Sequence, residues 1–166
     1  MPNKNFIDRL KDKLKCAINE AYQNDKHLIT RGGMEQACVF KIGYYLQESI
    51  RNNDELQNHS LDCEYNKSVD SNTKPTSSFP KGTRPDLILH KRGTHDYNLL
   101  VVEFKGWWSR KSEDNDCMKK LKNYTSEDGI YRYKLGVYVK LGKDTADFKY
   151  FINGALVSDN NDEYEE

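Results

Sequence analysis

Apolar residues recur along this chain with two different periods, and the switches between them outline its elements. Phe6, Leu10, Leu14, Ala17, Ile18 and Ala21 share one helical stripe, which predicts an amphipathic helix from about 4 to 23. Gly32 and Gly33 then suit a helix entrance. From Met34 to Arg51, the residues Cys38, Val39, Ile42, Tyr45, Leu46 and Ile50 repeat at helical spacing and predict a second helix. The pattern next turns to alternation. Strands are expected near 61–66, 84–90 and 98–105, a helix near 114–126, and strands near 134–141 and 148–154. Residues 68–82, rich in Ser, Thr, Asn, Lys and Pro, read as a mobile loop leading into the second of these strands. No internal repeat interrupts this order.

Two of the expected strands carry charge where a buried sheet would not favour it. In Asn98–Lys105 the two-residue period sends Leu99, Val101, Glu103 and Lys105 to one face, and Leu100, Val102 and Phe104 to the other. The preceding run contains Asp86, and the link from Lys91 to Asn98 holds Gly93 and Asp96, the usual material of a hairpin turn. A turn centred between Thr94 and His95 sets Asp86 opposite Glu103. Like charges directly across a strand pair are destabilising. Such a pair calls for a bound cation, a shared proton or a different register.

Thr-Arg-Pro-Asp at 83–86, followed by Glu-Phe-Lys at 103–105, resembles the PD-(D/E)xK phosphodiesterase superfamily, which includes restriction endonucleases, Holliday-junction resolvases and RecB-type nuclease domains. The resemblance spans roughly Glu35 to Leu141. It implies an α/β fold with a restriction endonuclease-like core, a central mixed sheet of about five strands flanked by helices. It also implies Mg²⁺-dependent hydrolysis of phosphodiester bonds in DNA, with Mn²⁺ as a substitute ion. Asp86 and Glu103 would hold the metal, with Glu35 a candidate third ligand, and Lys105 would position the attacking water or stabilise the charged phosphorus centre. Glu35 heads the apolar stripe of the second helix, and a carboxylate there also complements the helix dipole with no further role. Lys120 and Tyr124 resemble the Gln-Leu-x-x-Tyr helix of RecB-type nucleases, with lysine in place of glutamine. Lysine can hold a phosphate as a point charge but cannot copy an amide's paired donor and acceptor. A solvated basic face explains Lys119, Lys120 and Lys122 equally well. Glu64, on the polar side of a half-exposed strand, is a weaker candidate to approach the metal.

Composition narrows this reading only slightly. With 166 residues the chain suits one domain, expected over 1–157, followed by an acidic tail over 158–166 that is expected to be disordered. The 26 basic and 26 acidic residues cancel, which argues against a generic polyanion binder. Five of those acids lie in 159–166, however, so the remainder carries a surplus of base. Lys81, Arg84, Lys91, Arg92, Arg110 and Lys111 could contact phosphates on either side of a scissile bond, with Lys81 and Arg84 nearest the motif. Trp107 and Trp108 could stack on a splayed base, but at least one is expected to anchor the core. Cys16, Cys38, Cys63 and Cys117 show no zinc-ligand spacing. No run approaches the length of a membrane span, and no signal peptide opens the chain, so a cytoplasmic protein without a membrane partner is expected. DNA is the expected partner, with RNA open beside it, and a homodimer would follow if both strands are cut. The competing expectation is a catalytically silent nuclease-fold module that binds nucleic acid or a protein.

Overall fold

In the computed structural model, which describes residues 4–53, 55–65 and 75–159, three helices, a sheet and a fourth helix form three layers. The helices of the first layer are α1 (Lys4–Asn24), α2 (Lys26–Arg31) and α3 (Glu35–Arg51). Strands β1 (Ser60–Cys63), β2 (Leu87–His90) and β3 (Leu100–Gly106) follow, then α4 (Lys111–Thr125), then β4 (Leu135–Leu141), β5 (Ala146–Ile152) and β6 (Ala155–Val157). The chain is therefore α/β, with a mixed sheet flanked by helices. Its strands lie in sequence order from β1 to β6, and among the described residues β3–β4 is the one parallel pair. The helix α4 supplies the crossover that a parallel pair requires.

Burial of β3 on both faces explains its nearly continuous apolar run. Leu100, Val102 and Phe104 join Leu87 and Leu89 beneath α1 and α3, in a core with Leu14, Ile18, Ile42 and Leu46. On the opposite face, Val101 and Ile88 pack beneath α4 with Cys117, Leu121 and Tyr124. Gly136 on β4 lets α4 approach this closely. A Cβ there would lie 2.8 Å from Thr125 Cγ2 and 3.3 Å from Phe151 Cβ. Gly136→Val is therefore expected to destabilise the protein by about 1–3 kcal/mol, measured by urea denaturation, because the overpacked helix must shift.

Several boundaries differ from the sequence expectation, each for a local reason. The sheet has six strands rather than five, because Asn153 and Gly154 leave the strand expected over 148–154. At φ values of 51° and 76° they form a two-residue turn, and the chain returns as β6. Glu64, expected within a strand, lies just beyond β1 at φ 49°. The six-residue α2 was not expected at all. The loop expected over 68–82 lies partly outside the described residues. Its described end is tied to α4, where Asn123 donates to Ser78 Oγ at 2.8 Å and bonds Ser77 as well. Most of the acidic tail, 160–166, also lies outside the described residues. Asp159 is paired with Lys15 of α1 at 2.9 Å. Among the described residues, no helix is long and apolar enough to cross a membrane.

Candidate functional site

The hairpin register is the one its turn predicts: Leu87 faces Val102, Ile88 faces Val101, and Leu89 faces Leu100. Asp86 sits immediately ahead of β2, one step beyond the last pair, and its charge acts on Glu103, which alternation from Val101 sends towards the α4 side of the sheet. Pro85 has no N–H to extend the ladder. At that point the Asp86 carboxylate takes over as acceptor, receiving the Phe104 N–H at 2.7 Å, while the Asp86 carbonyl accepts the Glu64 N–H at 3.1 Å. The end of the hairpin thus holds Asp86 by backbone on both sides.

Glu103 is 1% exposed, unusual burial for a carboxylate. Its Oε2 accepts from Lys120 Nζ at 3.3 Å and from the Cys117 thiol at 3.5 Å, both on α4. Among the described residues, its buried Oε1 has no hydrogen-bond partner. Burial, helped by the neighbouring Asp86 charge, pushes the Glu103 carboxyl up to about 8 against the pull of Lys120. Burial also raises Asp86 to about 6, although the Phe104 N–H and Lys105 favour its charged form. Lys105 donates to Glu35 Oε1 at 2.7 Å. Burial alone would lower the pKa of this ammonium, but the bond and the charge of Glu35 outweigh it and leave the pKa raised. Lys120 behaves in the same way, with Glu103 opposing burial.

Four of the residues singled out in the sequence therefore come together directly or through one another: Asp86, Glu103, Lys105 and Glu35. Glu35 starts α3 and holds Lys105, so its carboxylate is already engaged by an ammonium group. Lys120 does reach the group, through Glu103. Tyr124 does not. Its ring is fully buried beside Tyr131 and Tyr133, at centroid distances of 5.7 and 6.0 Å, and supports α4 from within. Arg84 is exposed and pairs with Glu64 at 3.3 Å, and Lys81 is exposed in the turn before it. Arg92, named among the basic residues, is instead clamped to Asp62, which also meets His90 Nε2 at 2.8 Å. Trp107 anchors α2 by donating its indole N–H to the Ile29 carbonyl at 3.1 Å.

Beside Asp86 opens a cleft of about 260 Å³, lined by Glu35, Gln36, Phe40, Cys63 and Glu64 among others. Gln36 and Phe40 were not singled out in the sequence. They belong to a helix whose apolar stripe drew attention to its inner face, whereas these two lie on its outer face. The signal available was an unexplained aromatic residue off the stripe.

Oxygen-only donors of this kind suit a hard divalent cation, which often takes just one or two carboxylates and completes its shell with water and phosphate oxygens. Among the described residues, no three His, Cys, Asp or Glu side chains converge as a ready-made cage. The groups that fit such an ion are Asp86 and Glu103, the latter offering an oxygen with no other partner. No protein-family model matches the chain, and no match was found among curated proteins.

Proposed function

We propose that this chain is a divalent-metal-dependent nuclease of the PD-(D/E)xK type, hydrolysing phosphodiester bonds in DNA. The observation that carries this reading is the closeness of two carboxylates at one end of a hairpin, with a lysine two residues beyond the second. A sheet that keeps Asp86 near a buried Glu103 bears a destabilising arrangement, which a cation would relieve.

In this reading Asp86 and Glu103 would hold Mg²⁺ or Mn²⁺, and such an ion would supply an acidified water and charge neutralisation at the phosphate. The protein's own residues do the rest. The Phe104 N–H orients the Asp86 carboxylate, and the Asp86 charge acts from a fixed position. Lys105, steered by Glu35, places an ammonium group at the end of β3, where it orients the attacking water and balances charge that grows on the phosphorus oxygens. Lys120 offsets the Glu103 charge and lies within reach of a phosphate drawn to the same site. Lys81 and Arg84 add sequence-independent phosphate contacts.

Calorimetric titration of Mn²⁺ into the protein is expected to show stoichiometric binding that Asp86→Asn removes. Mg²⁺ is expected to support nicking of supercoiled DNA by the wild type and not by that variant. One observation favours a second reading, a silent module that grips nucleic acid without turnover: the Lys120 ammonium already serves as counter-ion to Glu103. That reading predicts no heat with Mn²⁺, no nicking, and DNA binding indifferent to divalent ions.

A further inference from the structure

The outer face of α3 carries an aromatic group that neither the core nor the proposed chemistry uses. Phe40 is 65% exposed and lines the cleft that opens beside Asp86. Tyr44, one turn further along the same face, is 54% exposed. The core does not lack apolar material at this point, because Cys38, Val39, Ile42, Leu46 and Ile50 of the same helix already fill it. Tyr44 is held edge-on to Tyr45 at 5.5 Å, and the Tyr45 hydroxyl bonds Asp25 at 2.5 Å, so the second ring rests on a fixed neighbour.

We infer that this cleft is a stacking site for an unpaired nucleobase, and that the nucleic acid this protein handles is single-stranded or frayed rather than continuous duplex. The substrate class rests on the nuclease reading above; the stacking itself does not. Three features of the cleft favour a base over other occupants. The Phe40 ring forms a wall whose face a base can cover, and aromatic rings accept successive bases of a single strand because every base has a π-face. The rim beside the ring is polar in both senses, since Gln36 Nε2 donates to Glu64 Oε1 at 3.1 Å and the pair leaves amide and carboxylate acceptors for exocyclic amino groups. The carboxylates of the cleft are largely offset, with Glu35 on Lys105 and Glu64 on Arg84, so a strand entering towards Asp86 meets little net negative charge. Continuous duplex hides its base faces within the stack and could not use the ring. The cleft adjoins Asp86, so a base seated on Phe40 would leave a neighbouring phosphate at the carboxylates.

The test is fluorescence anisotropy with a short labelled oligodeoxycytidylate, whose bases carry exocyclic amino groups, and a duplex of equal length. It is run in chelator so that no cleavage intervenes, together with quenching of a 2-aminopurine probe in the single strand. The wild type is expected to prefer the single strand and to quench the probe. Phe40→Ala is expected to weaken single-strand binding by about 5- to 150-fold, the loss of one stacked base, and to abolish the quench. Phe40→Trp is expected to keep both, and duplex binding should not change in either variant. Equal single-strand affinity in the wild type and Phe40→Ala overturns the inference, as does an equal loss for duplex, which would mark a general docking surface. Mn²⁺ titration of the same proteins separates the two proposals. Phe40-dependent stacking without metal binding defeats only the nuclease reading, and metal binding with no Phe40 effect defeats only the stacking site.

Discussion

Glu103→Gln is expected to make the metal-free protein more stable and its Mg²⁺-dependent cleavage undetectable. Both effects come from the same atom. Among the described residues, Oε1 of Glu103 has no hydrogen-bond partner and lies buried near a second carboxylate, so the charged form is disfavoured, a cost that a neutral amide avoids as pH rises. The gain follows the raised pKa of the carboxyl, so it is largest above neutrality, and it is offset in part because the amide leaves Lys120 without its anionic partner. The sign with pH follows from the shift. Glu103 is raised from 4.5 to about 8 in the folded state, so folding retains a proton that the unfolded chain releases. Its contribution is fully favourable below the unfolded value and is lost as pH rises through the folded one. Asp86, raised to about 6, acts in the same direction. His59 has the opposite sign, because burial and the nearby Lys91 lower its pKa and favour the neutral ring. The difference between wild type and variant removes the His59 contribution. That difference in Tm should widen in favour of the glutamine protein from about pH 4.5 to about pH 8. Cleavage should drop by about 10³-fold or more, since an amide is a poor substitute for an anionic ligand. A less stable glutamine variant, or one that still cuts, would contradict the assignment.

Lys105→Met is expected to separate chemistry from metal binding. The lysine touches Glu35 and neither of the two proposed ligands directly, so Mn²⁺ titration should be nearly unchanged. Cleavage should fall by about 10²–10⁴-fold, the usual range for a group that moves or steadies a proton at the reacting centre. Stability should fall as well, because the Lys105–Glu35 pair is mostly buried and methionine leaves the Glu35 carboxylate without its ammonium partner. Glu35→Gln should lose activity less severely and keep Mn²⁺ binding if Glu35 steers the lysine, whereas a role as third ligand would weaken metal binding as well. Wild-type rates in Lys105→Met would remove the lysine from the mechanism.

The strongly periodic parts of this fold were legible from the sequence, and so was the hairpin that builds the site. Its register follows from the turn residues between His90 and Leu99 together with strict alternation, which together leave one way to bury Leu87, Leu89, Leu100 and Val102 under the same helices. The sixth strand was hidden because Asn153-Gly154 was read as strand rather than turn, although that pair is the strongest short hairpin signal. The short α2 has too few residues to establish a period. Within the site, facing residues could be read from alternation, but partners across layers could not. That Lys120 reaches Glu103, or that Glu35 engages Lys105 before any ion does, depends on how closely two helices approach the sheet. Tyr124 shows the limit most clearly. Its spacing from Lys120 is right for a shared face near Glu103 and Asp86, yet its full burial among other tyrosines could not be read from spacing.

The order of the sheet has a consequence for how the protein is made. Since every strand lies beside its neighbours in the chain, each segment leaving the ribosome can be added to an edge already present, with no later piece threaded between earlier ones. The hairpin bearing Asp86 and Glu103 therefore emerges ahead of α4 and β4, which cover it. During synthesis its acidic face stays open to water until the crossover closes, and the repulsion between the two carboxylates is then screened by solvent. The destabilising arrangement is sealed only after the strands that carry it have paired.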